Sequence, residues 1–179
     1  MMIVTKTGIC GAYLIDIEPS CDERGFFARS WCKEEYTIHG LNAHVAQSGI
    51  SYNKQRGTLR GLHYQEAPFE EAKTVRCSNG AVYDVIVDIR PHSDTYKMWY
   101  GIELTSENHR MLYVPEGVAH GFQTLEDDTE VTYLMSQRYH AASAKGVRWN
   151  DPAFGIQWIP METVIISERD RQFALWEEE

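Results

Sequence analysis

Val82-Tyr83-Asp84-Val85-Ile86-Val87-Asp88-Ile89 is the stretch whose reading decides the architecture. β-Branched and aromatic residues fill it, a composition that suits a pleated strand. Residues i and i+4 share one face of a strand, so Asp84 and Asp88 point the same way. Two carboxylates on one face require solvent or a polar cavity with cationic partners, because a dry core cannot hold them. Asn79-Gly80, just upstream, is a hairpin signal that joins this run to a strand over Lys73 to Cys77. Further short runs lie outward on both sides: Ala12 to Ile17, Thr58 to Gln65, Trp99 to Leu104, Arg110 to Val114 and Val131 to Met135. Arg90-Pro91, Pro115-Glu116-Gly117 and Asn150-Asp151-Pro152 punctuate them as turns. Helix signals are sparse: a turn or two over Lys33 to His39, and a short one opened by Ser167 as its cap. Nothing alternates strand with helix. The pattern predicts an all-β sandwich or barrel, wide enough inside for packed side chains or one small ligand.

The chain has 179 residues, 43% of them hydrophobic, enough for a sizeable core in a single domain spanning residues 1–179. Acidic side chains outnumber basic ones by 26 to 17, and the formal charge of -9 disfavours nucleic acid as a partner. An anionic small molecule stays possible, since a pocket can be locally basic. No segment approaches the roughly 18 apolar residues of a membrane span, so no membrane partner is expected. The opening Met1-Met2-Ile3-Val4 lacks a signal-peptide pattern, and Cys10, Cys21, Cys32 and Cys77 form no CxxC pair. Reduced thiols in a cytoplasmic protein are the expectation. Glu177 to Glu179 read as a frayed end.

Chemistry concentrates in Arg56-Gly57-Thr58-Leu59-Arg60-Gly61-Leu62-His63-Tyr64-Gln65. Arg56, Arg60, His63, Lys73 and Arg76 place five cationic groups within 21 residues of an acidic chain. Such a cluster points at an anion, and phosphate suits guanidinium forks. In a regular strand Arg60 and His63 face opposite ways; a bulge at Gly61 would bring them together. Pro115 to Phe122 sets His120 at a strand mouth. Taken singly, His63 reads as an ordinary histidine, Tyr133 as a packed aromatic and Asp170 as a solvated turn residue. Local physics does not join Asp170 to His63.

Longer motifs carry a resemblance. They are Asp22 to Phe27, Gly57 to Gln65, Lys73 to Cys77, Tyr83 to Arg90, Val114 to Phe122, Trp149 to Pro152 with Gly155 to Trp158, and Ser167 to Asp170. In this order and spacing they resemble the dTDP-4-dehydrorhamnose 3,5-epimerase family, which inverts carbons of 4-keto-6-deoxy sugar nucleotides. The resemblance implies a cupin-type jelly-roll barrel with short peripheral helices, a nucleotide-diphosphate sugar as substrate and no cofactor. It implies His63 as general base, Asp170 as the carboxylate that orients it, Tyr133 as the acid and Lys73 beside the C4 oxygen. Arg60 corresponds to a diphosphate contact, while His120 and Tyr139 line the sugar pocket. Arg24, Phe27, Arg29 and Gln47 fall among nucleotide or sugar contacts, Arg24 and Phe27 reaching a neighbouring subunit. A homodimer with exchange of the N-terminal strand is implied as well.

The match departs from the best-known pattern at three points. Arg29 stands where a glutamate is usual, Gly49 replaces an asparagine, and the interval from Gln47 to Arg60 is one residue longer. All three fall among nucleotide contacts, leaving thymidine, cytidine and guanosine diphosphate sugars open. Epimerisation of one carbon, or a catalytically silent sugar-nucleotide-binding barrel, are the other readings. A metal-dependent oxygenase is a further rival, but His63-Tyr64-Gln65 puts an amide where metal cupins place a second histidine, and Lys73 adds positive charge. That donor set is a poor one for a divalent ion, so the site is expected to be metal-free.

Overall fold

The decisive strand, β8 (Ala81–Asp88), is buried at every position but Tyr83, because its sheet is covered on both faces. Val82 and Ile86 point inward to a cluster with Val75, Cys77, Leu104, Leu112 and Val131. Val85 and Val87 point outward and pack with Leu62, Val147, Phe154, Trp158 and Trp176. An antiparallel strand with one wet face alternates polar and apolar residues; here a second cover removes the alternation. The structure is a computed structural model describing residues 1–177. Glu178 and Glu179, the outer part of the expected frayed end, lie outside the described residues.

Two six-membered antiparallel layers enclose the central core. The first runs β1 (Met2–Lys6), β2 (Tyr13–Ile17), β10 (Met111–Val114), β7 (Lys73–Asn79), β12 (Thr129–Met135), β5 (Gln47–Asn53). The second runs β13 (Ala144–Gly146), β6 (Thr58–Gln65), β11 (Val118–Thr124), β8, β9 (Trp99–Thr105), and β14 (Ile165–Ile166) lies parallel to β6. A separate hairpin is formed by β3 (Ser20–Asp22) and β4 (Gly25–Phe27). Each strand expected from sequence forms, with ends shifted by one or two residues. Asn79-Gly80 makes the turn between β7 and β8, with Gly80 at a φ of 74°.

Two short helices complete the chain. α1 (Lys33–Ile38) ends at His39 before Gly40, whose φ of 71° suits a residue without a side chain. It packs Tyr36 over the outer face of the first layer against Ile15, Met111 and Tyr113, and the Tyr36 hydroxyl bonds Thr74 Oγ1 at 2.9 Å. α2 (Glu168–Arg171) starts at Ser167, whose hydroxyl oxygen accepts from the Asp170 N–H at 3.1 Å. This small cap matters because it fixes Asp170. Among the described residues, no helix is long and apolar enough to cross a membrane, and all four cysteines are free thiols.

Candidate active site

The site starts from a break in strand register. On β11 and β6, His120 pairs with His63 and Phe122 with Arg60, so two steps on one strand match three on the other. The extra residue on β6 is a bulge, and it places Arg60 and His63 on the same inward face. Gly61 permits it with a φ of +119°. A Cβ at Gly61 would lie 2.6 Å from the Gly121 Cα, and one at Gly121 would lie 2.6 Å from the Arg60 carbonyl oxygen. Two glycines therefore let the strands approach where the site needs them to.

The inward faces enclose a cavity of about 260 Å³ lined by Arg60, His63, Lys73, His120, Tyr133 and Met135. A neighbouring cavity of about 180 Å³ shares His63 and Lys73 and adds Glu71 and Tyr139. His63 and His120 come from the second layer, Lys73 and Tyr133 from the first, so the cavity lies between facing sheets.

Each histidine is braced by a carboxylate. His63 Nε2 lies 2.8 Å from Asp170 Oδ1, while Asp170 Oδ2 accepts from the Gly61 N–H at 3.2 Å. With Nε2–H donated to the carboxylate, Nδ1 carries the free lone pair. The His63 side chain is 41% exposed against 7% for Asp170, so the base is open while its anchor is buried. Burial opposes ionisation of Asp170, but the His63 hydrogen bond and charge and the Gly61 N–H outweigh it and hold the carboxyl below its usual range. Gly146 pairs with His63 across β13 and leaves room for the Phe173 ring, which meets the imidazole edge-on at 6.0 Å.

His120 Nε2 sits 3.0 Å and 2.9 Å from the two oxygens of Asp84, and both side chains are buried. Burial pushes the Asp84 carboxyl up, against the opposing pull of His120 and Lys73. Asp88, its companion on the strand face, is instead held down to about 2: burial is overcome by hydrogen bonds from Arg90, Ser93 and Thr95. Both aspartates thus have polar partners, His120 for Asp84 and Arg90, Ser93 and Thr95 for Asp88. Tyr133 packs edge-on against His120 at 6.0 Å. Burial, reinforced by Asp84 and only partly offset by Arg60, drives its phenol far above the usual value and keeps it protonated.

Lys73 Nζ lies 2.9 Å from Glu71 Oε1 and donates to the His63 carbonyl at 3.5 Å. Arg60 Nε donates to Asn53 Oδ1 at 2.7 Å at the cavity's edge. Gln47 Oε1 accepts from the Tyr139 N–H at 2.9 Å, tying the two expected pocket residues together. Four expected contacts, Gln47 and three others, line neither cavity of their own chain. Arg24 pairs with Asp22 at 2.6 Å on the β3–β4 hairpin, Phe27 is 75% exposed there, and Arg29 Nη1 binds Glu35 Oε1 at 2.9 Å. The reading of single residues did not reach the Asp84–His120 pairing, Met135, Phe173 or Glu71. Glu71 lies two residues before Lys73, just ahead of β7, and that nearness in sequence was the one signal for it.

No cluster of three or more His, Cys, Asp or Glu side chains among the described residues is arranged to hold a metal. The donors nearest a cupin metal pattern are engaged otherwise. Gln65 Nε2 donates to the Phe69 and Arg138 carbonyls, at 2.8 Å and 3.2 Å, and both histidines face carboxylates.

The family model described as dTDP-4-dehydrorhamnose 3,5-epimerase matches residues 6–178. The chain belongs to that family. Its two-layer barrel is of the cupin type that the epimerase family shares. A dTDP-4-dehydrorhamnose 3,5-epimerase of Methanothermobacter thermautotrophicus is 42% identical over 172 residues, covering 94% of this chain and 91% of the relative. The Bacillus anthracis epimerase, solved with TDP and PPi bound, superposes with a TM-score of 0.93 at 41% identity, covering 98% of this chain and 100% of that one. The Legionella pneumophila enzyme, solved with dTDP-4-keto-L-rhamnose, gives a TM-score of 0.91 at 35% identity, covering 98% and 93%.

Proposed function

We propose that the protein inverts C3 and C5 of a nucleotide-diphosphate 4-keto-6-deoxyhexose, converting the dTDP-4-dehydro-6-deoxy-D-glucose type to the dTDP-4-dehydro-L-rhamnose type. The observation that carries it is that a braced histidine and a protonated tyrosine stand on facing sheets with one cavity between them. Inversion needs a proton to leave one face of the sugar and another to arrive on the opposite face. His63 Nδ1 takes the proton alpha to the C4 ketone, and Asp170 stabilises the imidazolium that results. The electron pair of the broken C–H bond passes to the C4 oxygen, where the Lys73 ammonium stabilises the enolate. Tyr133 returns a proton from the other sheet and regains one from solvent, while the His63 imidazolium gives its proton up to solvent, which restores both groups. His120, held by Asp84, and Tyr139 shape the sugar pocket, Arg60 grips the diphosphate, and Gln47, bonded to the Tyr139 N–H, contacts the nucleotide or sugar. The chemistry uses no cofactor and no metal.

Arg24, Phe27 and Arg29 are assigned to nucleotide contacts made with a second copy. Their place on or beside the exposed β3–β4 hairpin, away from their own cavity, supports a homodimer in which such segments cross between subunits. In the single chain β1 pairs with β2 at the edge of its sheet, and exchange of the N-terminal strand would make that pairing between copies. We read the chain as one domain, supported by the single pair of facing layers among the described residues, and the free thiols suit a cytoplasmic protein.

NMR of dTDP-4-keto-6-deoxyglucose with the protein in deuterated water tests the assignment. Deuterium is expected at both C3 and C5. Label at C3 alone would make it a mono-epimerase, and no label at either carbon would leave only a binding barrel. Parallel runs with cytidine and guanosine analogues decide which nucleotide Arg29 and Gly49 accommodate.

A further inference from the structure

We propose that Glu71 is a positioning residue that aims the Lys73 ammonium at the reacting carbonyl. The inference rests on the epimerase reading above. Lys73 leaves the inner face of β7, and its side chain is only 10% exposed, as is that of Glu71. A lysine so deep needs an anionic partner, and its carboxylate candidates are few. Asp84 on β8 bonds His120 through both oxygens, and Asp170 on α2 bonds His63 and the Gly61 N–H. Among the described residues Glu71 is the carboxylate in contact, with Oε1 at 2.9 Å from Nζ.

An ammonium has three N–H donors on a freely rotating head. Glu71 takes one, and the His63 carbonyl lies at 3.5 Å from the same nitrogen. Two fixed acceptors stop the rotation and leave the third donor for the cavity that Lys73 shares with His63, His120 and Tyr133. The tie to the His63 main chain sets the ammonium's position relative to the base itself. A donor fixed in this way needs no reorganisation when charge develops on the C4 oxygen. Glu71 touches no reacting atom in this scheme; it acts through Lys73.

The test compares Glu71→Ala and Glu71→Gln with the wild-type chain by steady-state kinetics and by the deuterium wash-in described above. Glu71→Ala frees the ammonium and is expected to lower kcat at least tenfold with KM changed less than threefold. Glu71→Gln keeps an oxygen acceptor for Nζ and is expected to recover most of that loss. Thermal unfolding and titration with dTDP check that both variants fold and bind; should Glu71→Ala unfold, Glu71→Gln against a Glu71→Leu variant of similar bulk carries the comparison. Unchanged kcat in a folded Glu71→Ala or Glu71→Leu variant, or a loss confined to KM, would overturn the proposal. A wild-type protein that exchanges no deuterium would instead overturn the epimerase reading, so the two failures are distinct.

Discussion

The two histidine–carboxylate pairs use the same groups at similar distances, yet their surroundings separate their roles. His63 is 41% exposed and looks into the cavity, with Asp170 reaching it from a helix 107 residues further along the chain. His120 is 5% exposed and meets Asp84 from the neighbouring strand of its own sheet. Asp170 is held low, an anion ready to meet an imidazolium; Asp84 is pushed up by burial. A base must meet substrate and hand its proton onward, and the exposed first pair has that access while the buried second pair does not. The second pair is buried and packs edge-on against the Tyr133 ring, which suits the pocket-shaping role proposed for it.

The largest expected effect breaks the first pair. His63→Asn should reduce turnover by on the order of 10²–10⁴-fold while dTDP binding, measured calorimetrically, stays close to wild type. Tyr133→Phe sharpens the contrast between sheets: inversion should fall by about 10²-fold, but deuterium should still enter with retention, since the base is intact. Asp170→Asn replaces an acceptor with an amide that can donate, releasing the His63 tautomer, and kcat should fall about 10²-fold. Gly61→Ala attacks the bulge that brings Arg60 and His63 together. The φ of +119° and the 2.6 Å approach to Gly121 make the variant less stable by roughly 1–3 kcal/mol, readable in urea denaturation.

The smallest effect is one of pH, and its sign differs between the pairs. Asp170 has a lowered folded pKa, so its stabilisation is present above the unfolded value of about 3.9 and is lost as pH falls through the folded value. Asp84 has a raised folded pKa, so the fold favours its protonated form, and that contribution fades as pH rises through the folded value. Denaturation midpoints from about pH 3 to 6 should therefore lose an acid-side decline in Asp170→Asn and a neutral-side decline in Asp84→Asn. Equal slopes in the two variants would contradict the division of roles.

Much of the fold was legible because β8 writes its constraints locally. Its side-chain composition names a strand, Asn79-Gly80 a turn, and the spacing of Asp84 and Asp88 a shared face that needs solvent or a polar cavity. The Gly61 bulge was legible as a possibility, since glycine permits one there and Arg60 and His63 share a face if it forms. β5 (Gln47–Asn53) was not, because Ser, Gly and Asn have weak strand preference and its register comes from pairing with β12. The union of Asp170 with His63 is long-range, and only family resemblance pointed to it. Arg24, Phe27 and Arg29 stand off the cavity of their own chain, on or beside the exposed β3–β4 hairpin, a placement that the homodimer proposed above would account for.

Deuterium wash-in at C3 of dTDP-4-keto-6-deoxyglucose, compared between His63→Asn and His120→Asn, bears most directly on the assignment of the base. Exchange should vanish in the first variant and persist at a reduced rate in the second. Persistence in His63→Asn with loss in His120→Asn would reverse the two roles and contradict the mechanism.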